Sequence, residues 1–162
     1  MMINFTILAA IALSIAWHEL FHALALWAVG VPVRLFQIGG PPVIYRRGRF
    51  SLGLNPFIGC VGADLEGVPR AAQALYYASG PAGSLLLGIG SILLGISVNL
   101  YSLKMLGVVS LAMGVFNLVP IPPLDGYRLV TLLVRMPYRV QVLWALLAWG
   151  AVLVQWGFVH LC

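Results

Sequence analysis

Apolar residues run in long blocks along this chain, separated by short polar breaks. Four blocks reach or approach the ~20 mostly apolar residues a helix needs to cross a bilayer. They cover about Ile3 to Val29, about Ala71 to Leu100, Met105 to Leu124 and about Val140 to Val159. The second and third carry no charge, and the only ionisable residues of the first are His18, Glu19 and His22. The connection from Gly30 to Arg70 follows another pattern. Val43-Ile44-Tyr45 and Phe50-Ser51-Leu52-Gly53-Leu54 flank Arg46-Arg47-Gly48-Arg49, which predicts a β-hairpin from Val43 to Leu54 with a basic tip. Gly39-Gly40-Pro41-Pro42 before it and Asn55-Pro56 after it read as breakers. Apolar residues such as Phe57-Ile58-Gly59 suggest that the loop dips against the membrane. Backbone at that depth must be buried by protein or line a wet cavity. The expected fold is all-α and transmembrane, with about four spanning helices and a membrane-associated hairpin between the first and second.

Composition strengthens that picture. Of 162 residues, 62% are hydrophobic and 8% charged, and the mean hydropathy is +1.02. Soluble domains carry roughly 25% charged residues, so this chain lacks the means to cover a water-facing surface. Its length suits one integral-membrane domain over residues 1–162. The start, Met1-Met2-Ile3-Asn4, has no basic stretch and the apolar run after it ends in no small-residue cleavage site, so the first block reads as a mature span. The net charge of +5 marks topology rather than nucleic-acid binding. Arg34, Arg46, Arg47, Arg49, Arg70, Arg128, Arg135 and Arg139 fall in the connections after spans one and three, against Lys104 alone after span two. The positive-inside rule then predicts both termini outside and the Arg-rich connections in the cytosol, in a cell membrane. Cys60 and Cys162 fall on opposite sides, show no metal spacing, and read as ordinary small apolar residues.

An ionisable residue in a span centre costs at least ~2.5–3.5 kcal/mol and suggests function by default. The chain has four acids and three histidines, and three of these seven crowd into His18-Glu19-Leu20-Phe21-His22. On a helix, residues four apart share a face, so both imidazoles can reach one metal ion. The glutamate between them can take a proton from an attacking water. Two histidines merely buried among neighbouring helices would leave Glu19 without a partner. Catalytic zinc usually takes three protein ligands, so a third is needed. Asp64 and Glu66 are explained by a solvated pairing with Arg70, and His160 falls at the outer end of the last span. Asp125 remains. It follows Pro120-Ile121-Pro122-Pro123-Leu124, where the prolines stop the helix. His22 and Asp125 both belong to the cytosolic half of the bilayer. The competing role for Asp125 is to cap the helix that begins at Gly126-Tyr127.

These motifs resemble those of the site-2 proteases, a family of intramembrane zinc metalloproteases. His18-Glu19-Leu20-Phe21-His22 matches in the first span, and the stretch from Asn117 to Gly126, ending Leu124-Asp125-Gly126, matches after the third. Gly80-Pro81-Ala82-Gly83-Ser84 is a weaker match in the second span, and Ile38 to Gly62 is similar to the family's membrane-associated β element. The resemblance implies zinc held by His18, His22 and Asp125, with Glu19 as catalytic base and Asn117 holding the substrate backbone. It implies an endopeptidase acting on membrane-protein substrates in regulated intramembrane proteolysis. Ser84 stands where the family often has asparagine; close helix packing through small residues explains Gly80, Gly83, Ser84 and Gly88. No PDZ-like domain is expected, so a regulatory partner or second copy would have to supply any gating. Two rivals come from other classes. One is a catalytically inactive binding protein for transmembrane helices, against which the intact Glu19 argues. The other is a metal carrier, which would need a continuous polar path that the spans do not offer.

Overall fold

The computed structural model describes residues 5–134, 137–147 and 149. Helix α1 covers Phe5–Ala28, strand β1 Val33–Arg47, strand β2 Phe50–Ala63, helix α2 Arg70–Ser97, helix α3 Tyr101–Asn117 and helix α4 Asp125–Val134. Residues 138–147 are also helical. The chain is thus mostly helical around one two-stranded antiparallel hairpin. Helices α1 and α2, of 24 and 28 residues, are long and apolar enough to cross a membrane; α3, of 17, is shorter. The block expected from Val140 to Val159 falls in part outside the described residues, as do Arg135, His160 and Cys162.

Helix α1 contains neither glycine nor proline between Phe5 and Ala28, and it stops where Gly30 adopts a φ of +73°. Val31 donates to the Leu26 carbonyl at 2.9 Å and Gly30 to that of Trp27 at 3.1 Å. These two bonds close the helix end in the manner that a left-handed glycine permits. A similar turn at Asn99, φ 49°, joins α2 to α3, and the two helices pack closely: a Cβ at Gly88 would strike Leu111, and one at Gly107 would strike Ile92. Trp17 on α1 donates to the Gly83 carbonyl of α2 at 3.0 Å. Leu26, Val61 and Tyr76 form a buried cluster that joins α1, β2 and α2.

The hairpin is longer than expected, and it doubles back. Strand residues Val33, Leu35, Phe36, Gln37 and Ile38 pair with Ala63, Gly62, Val61, Cys60 and Gly59. Phe36, Gln37 and Ile38 pair a second time, with Phe50, Ser51 and Leu52, while Val43, Tyr45, Arg46 and Arg47 pair with Gly53, Leu52, Ser51 and Phe50. The expected breakers therefore bend the strands instead of ending them. The reason is close backbone contact: a Cβ on Gly53 would collide with the Gly40 carbonyl, and one on Gly39, at φ +80°, with the Gly53 carbonyl. Only glycine lets the two passes cross there. The pairing expected between Arg70 and the acids Asp64 and Glu66 does not form. Arg70 reaches the Leu132 carbonyl of α4 at 3.4 Å, and Asp64 accepts from the backbone N–H of Glu66 at 3.2 Å.

Candidate metal centre

Helix α1 carries His18, Glu19 and His22, all three buried. Four residues apart, the two imidazoles face the same way, and their Nε2 atoms lie 3.1 Å from each other. Asp125 arrives from the other end of the fold. Helix α3 stops at Asn117, the proline-rich stretch turns, and α4 starts at Asp125 itself. Gly126 makes that start possible, because a Cβ there would overlap the Leu118 backbone. Oδ2 of Asp125 lies 3.1 Å from His18 Nε2 and 3.2 Å from His22 Nε2. His18, His22 and Asp125 form a group able to hold a metal ion. Asp125 is at the same time the first residue of its helix, one position past Leu124, whose carbonyl accepts from Arg128 at 3.4 Å, so its carboxylate faces the imidazoles and not the cap position.

The hydrogen bonds around the two imidazoles bear on which ring atoms carry protons. His22 Nδ1 lies 2.7 Å from the Tyr76 carbonyl, which can only accept, so Nδ1 donates. Ser84 Oγ lies 3.1 Å from the Gly80 carbonyl, and its one proton goes there. The same oxygen, 2.9 Å from His18 Nδ1, must then accept from that ring. With both Nδ1 atoms protonated, both neutral rings present bare Nε2 lone pairs to a carboxylate oxygen. Lone pairs from three residues within 3.1–3.2 Å of one another form a cradle for a cation. Zinc–nitrogen distances of ~2.0–2.1 Å imply a tetrahedral edge of about 3.3 Å, so the spacing fits that ion. Gly80 completes the fit, since a Cβ there would overlap both imidazoles.

Glu19 sits one residue aside, against the hairpin. A Cβ on Gly59 would meet its Cγ and Oε1, and the Val61 backbone hydrogen-bonds its carboxylate. The Val61 carbonyl accepts from Tyr76 Oη at 2.5 Å. The β segment beside the base is therefore Gly59–Val61. A cavity of about 540 Å³ opens here, lined by His18, Glu19, His22, Gly59, Asn117 and Asp125 among others. Asn117 lies in this wall at the end of α3, its Nδ2 donating to the Met113 carbonyl at 3.0 Å.

The chain matches peptidase family M50 over residues 6–101 and 94–154. It belongs to that family, the site-2 proteases. YwhC of Bacillus subtilis (strain 168), named as a zinc metalloprotease, is 32% identical over 88 residues, 46% of this chain and 40% of YwhC. The chain thus aligns with well under half of that relative's length. The site-2 protease from Methanocaldococcus jannaschii has the same fold, with a TM-score of 0.69 at 22% identity over 98% of this chain and 70% of its own. Membership of the M50 family and two apolar helices together support membrane association.

For a site-2 protease chain, three features escaped the sequence. Ser84, read there as packing, is fully buried and also contacts His18; its spacing of four from Gly80 puts both on one helix face, which was the available signal. The Tyr76 carbonyl has no side-chain signature at all. Cys60, read as a small apolar residue, lines the cavity.

Proposed function

We propose that this chain is an intramembrane zinc metalloendopeptidase that hydrolyses peptide bonds of membrane-protein substrates in or near the bilayer. The observation that carries the reading is the set of three converging acceptors with a buried carboxylate beside it, open to a cavity. His18, His22 and Asp125 would hold the ion. Zinc, when bound there, supplies Lewis-acid polarisation of the scissile carbonyl and makes water more acidic. Glu19 takes the proton from the attacking water and passes one to the leaving amine. Asn117, in the same wall, holds the substrate backbone. A helical substrate has its carbonyls tied up, so it must unwind, and the segment around Gly59–Val61 is placed to hold it extended by strand addition.

The topology we infer has four spans, made by α1, α2, α3 and the block from about Val140 to Val159, in one protease domain. The Arg-rich connections face the cytosol of a cell membrane, and the metal centre lies towards that side. Cysteines introduced near Arg47 and Arg139 should label from the cytosolic face only, and one near Lys104 from the other; labelling of the first two from opposite faces would refute this arrangement. Partners are the bilayer, the membrane-protein substrate and a regulatory protein or second copy, with no nucleic acid.

The decisive experiment pairs metal analysis with cleavage of a single-span substrate by wild type and Glu19→Gln. Zinc content should be unchanged, since Glu19 is no ligand. General-base catalysis contributes typically ~10²–10⁴-fold, so turnover should fall by at least that. Near-normal turnover by the variant would remove the mechanism.

A further inference from the structure

The first pass of the hairpin runs along α1. Val33 packs against the Leu26 cluster, while Gly59, paired with Ile38, lies against Ile15 and Glu19. Ile15 and Leu26 are eleven residues apart on α1, about 16 Å at ~1.5 Å per residue. On the membrane reading proposed above, this pass descends from the end of the span to its middle. The bend there carries exposed apolar side chains: Val43, Ile44, Leu54, Phe57 and Ile58.

The second pass climbs back. Phe36 donates to the Arg49 carbonyl at 2.8 Å, and its ring stacks on Phe50 at 6.0 Å. Arg47 pairs with Phe50. The tip is thus held level with Phe36, which packs against the Leu26–Val61–Tyr76 cluster near the C-terminal end of α1. Arg34, two residues before Phe36, is exposed at the same level, as are Arg46, Arg47 and Arg49. None of the three tip arginines makes an ion pair or side-chain hydrogen bond among the described residues. Four guanidinium groups that far from compensating charge are expensive next to hydrocarbon, yet Arg side chains reach several ångströms to the interface.

We propose that Arg34, Arg46, Arg47 and Arg49 form a binding surface for the phosphates of anionic lipids, which anchors the doubled hairpin at headgroup level while its bend stays in the hydrocarbon. Charge complementarity and the guanidinium fork favour phosphate oxygens, and juxtamembrane arginines are drawn to anionic leaflets. The anchor sets the height of Gly59–Val61 over Glu19, so the lipid composition bears on how the substrate strand is presented.

The test purifies the full chain from mixed micelles holding equal amounts of phosphatidylglycerol and phosphatidylcholine and counts the lipid that stays bound. Wild type should enrich phosphatidylglycerol on the order of tenfold, less as salt rises. The triple variant Arg46→Gln, Arg47→Gln, Arg49→Gln should lose most of that enrichment, and the matching triple Lys variant should keep most of it. Zinc content and cleavage in detergent should be unchanged in both, which separates this proposal from the protease reading itself. No enrichment by wild type, a measurement that needs no variant, would overturn the proposal. So would equal enrichment by the Gln triple. Loss of cleavage of an acidic-flanked substrate in detergent with lipid enrichment intact would also overturn it, by assigning the arginines to substrate.

Discussion

Two successive turns of α1 each send a buried polar group across to a serine on another helix. At the first turn, Ser14 Oγ meets Ser110 Oγ of α3 at 2.6 Å, with both residues fully buried. At the next, His18 Nδ1 meets Ser84 Oγ of α2 at 2.9 Å. The two contacts occupy the same face of the helix and satisfy the same need, since a polar group away from water must find a partner. They differ in direction. Either hydroxyl of the serine pair can donate, and nothing beyond the pair depends on which does. Ser84 has already given its proton to the Gly80 carbonyl, so its bond to His18 runs one way only. That direction passes through the ring and leaves Nε2 bare towards Asp125 and His22. A contact that only joins helices and one that orients a candidate metal ligand are thus distinguished by where the proton is spent, not by burial or distance.

The largest effect is expected at Asp125, the carboxylate that both imidazoles face. Asp125→Ala should lower zinc content and abolish cleavage together, whereas Glu19→Gln lowers cleavage alone. Asp125 also begins α4, and if its carboxylate served only as a helix cap, its loss would cost ~1 kcal/mol without touching the metal. Asparagine caps about as well as aspartate but is a neutral and poorer ligand, so Asp125→Asn isolates the metal role. Zinc analysis of purified Asp125→Asn protein is the check; full occupancy with full activity would assign Asp125 to capping and place the third ligand elsewhere.

Ser84→Ala tests the directed contact. Loss of an outer hydrogen bond to a ligating histidine typically lowers metal affinity or activity by 10–100-fold. Competition with a chelator should show weaker zinc binding in that range, with the helices still packed, because alanine is small enough for the site. Ser84→Thr keeps the hydroxyl and should recover part of the affinity. Unchanged zinc binding in Ser84→Ala would make the contact no different in kind from that of Ser14.

How legible these features were in the sequence follows from how local their causes are. His18, Glu19 and His22 announce themselves because helix geometry alone puts residues four apart together in an otherwise apolar span. Asp125 was reachable because Pro120, Pro122 and Pro123 must end a helix and the site lacked a ligand. The hairpin was half legible: Gly48 and the flanking strands marked its tip, but the fold-back depends on Gly39, Gly40 and Gly53 passing within contact of each other, and a glycine shows neither its partner nor its register. Gly39 to Pro42 therefore looked like an end when it is a bend. The contact of Ser84 with His18 spans 66 positions and rests on one hydroxyl, so only the packing of α2 on α1 reveals it. Arg70 was misassigned because charge suggested an acid partner, while the docking of α4 offered a carbonyl.

The smallest expected effect belongs to Ser14 and Ser110. Removing one member of a buried hydrogen bond costs ~1–3 kcal/mol when the survivor is stranded. Here the survivor is not stranded, because a serine within a helix can bond back to the carbonyl four residues before it. Between membrane helices such pairs average ~0.6 kcal/mol in double-mutant cycles, and that lower figure should apply. Ser14→Ala, Ser110→Ala and the double variant, compared by thermal unfolding of the purified protein, should give a coupling of about that size. Zinc affinity and turnover should match wild type in all three, since neither hydroxyl reaches His18, His22, Asp125 or Glu19. A loss of zinc in Ser110→Ala comparable to that in Ser84→Ala would mean that any buried hydroxyl on this face of α1 supports the metal, and the direction of the Ser84 bond would no longer explain the site.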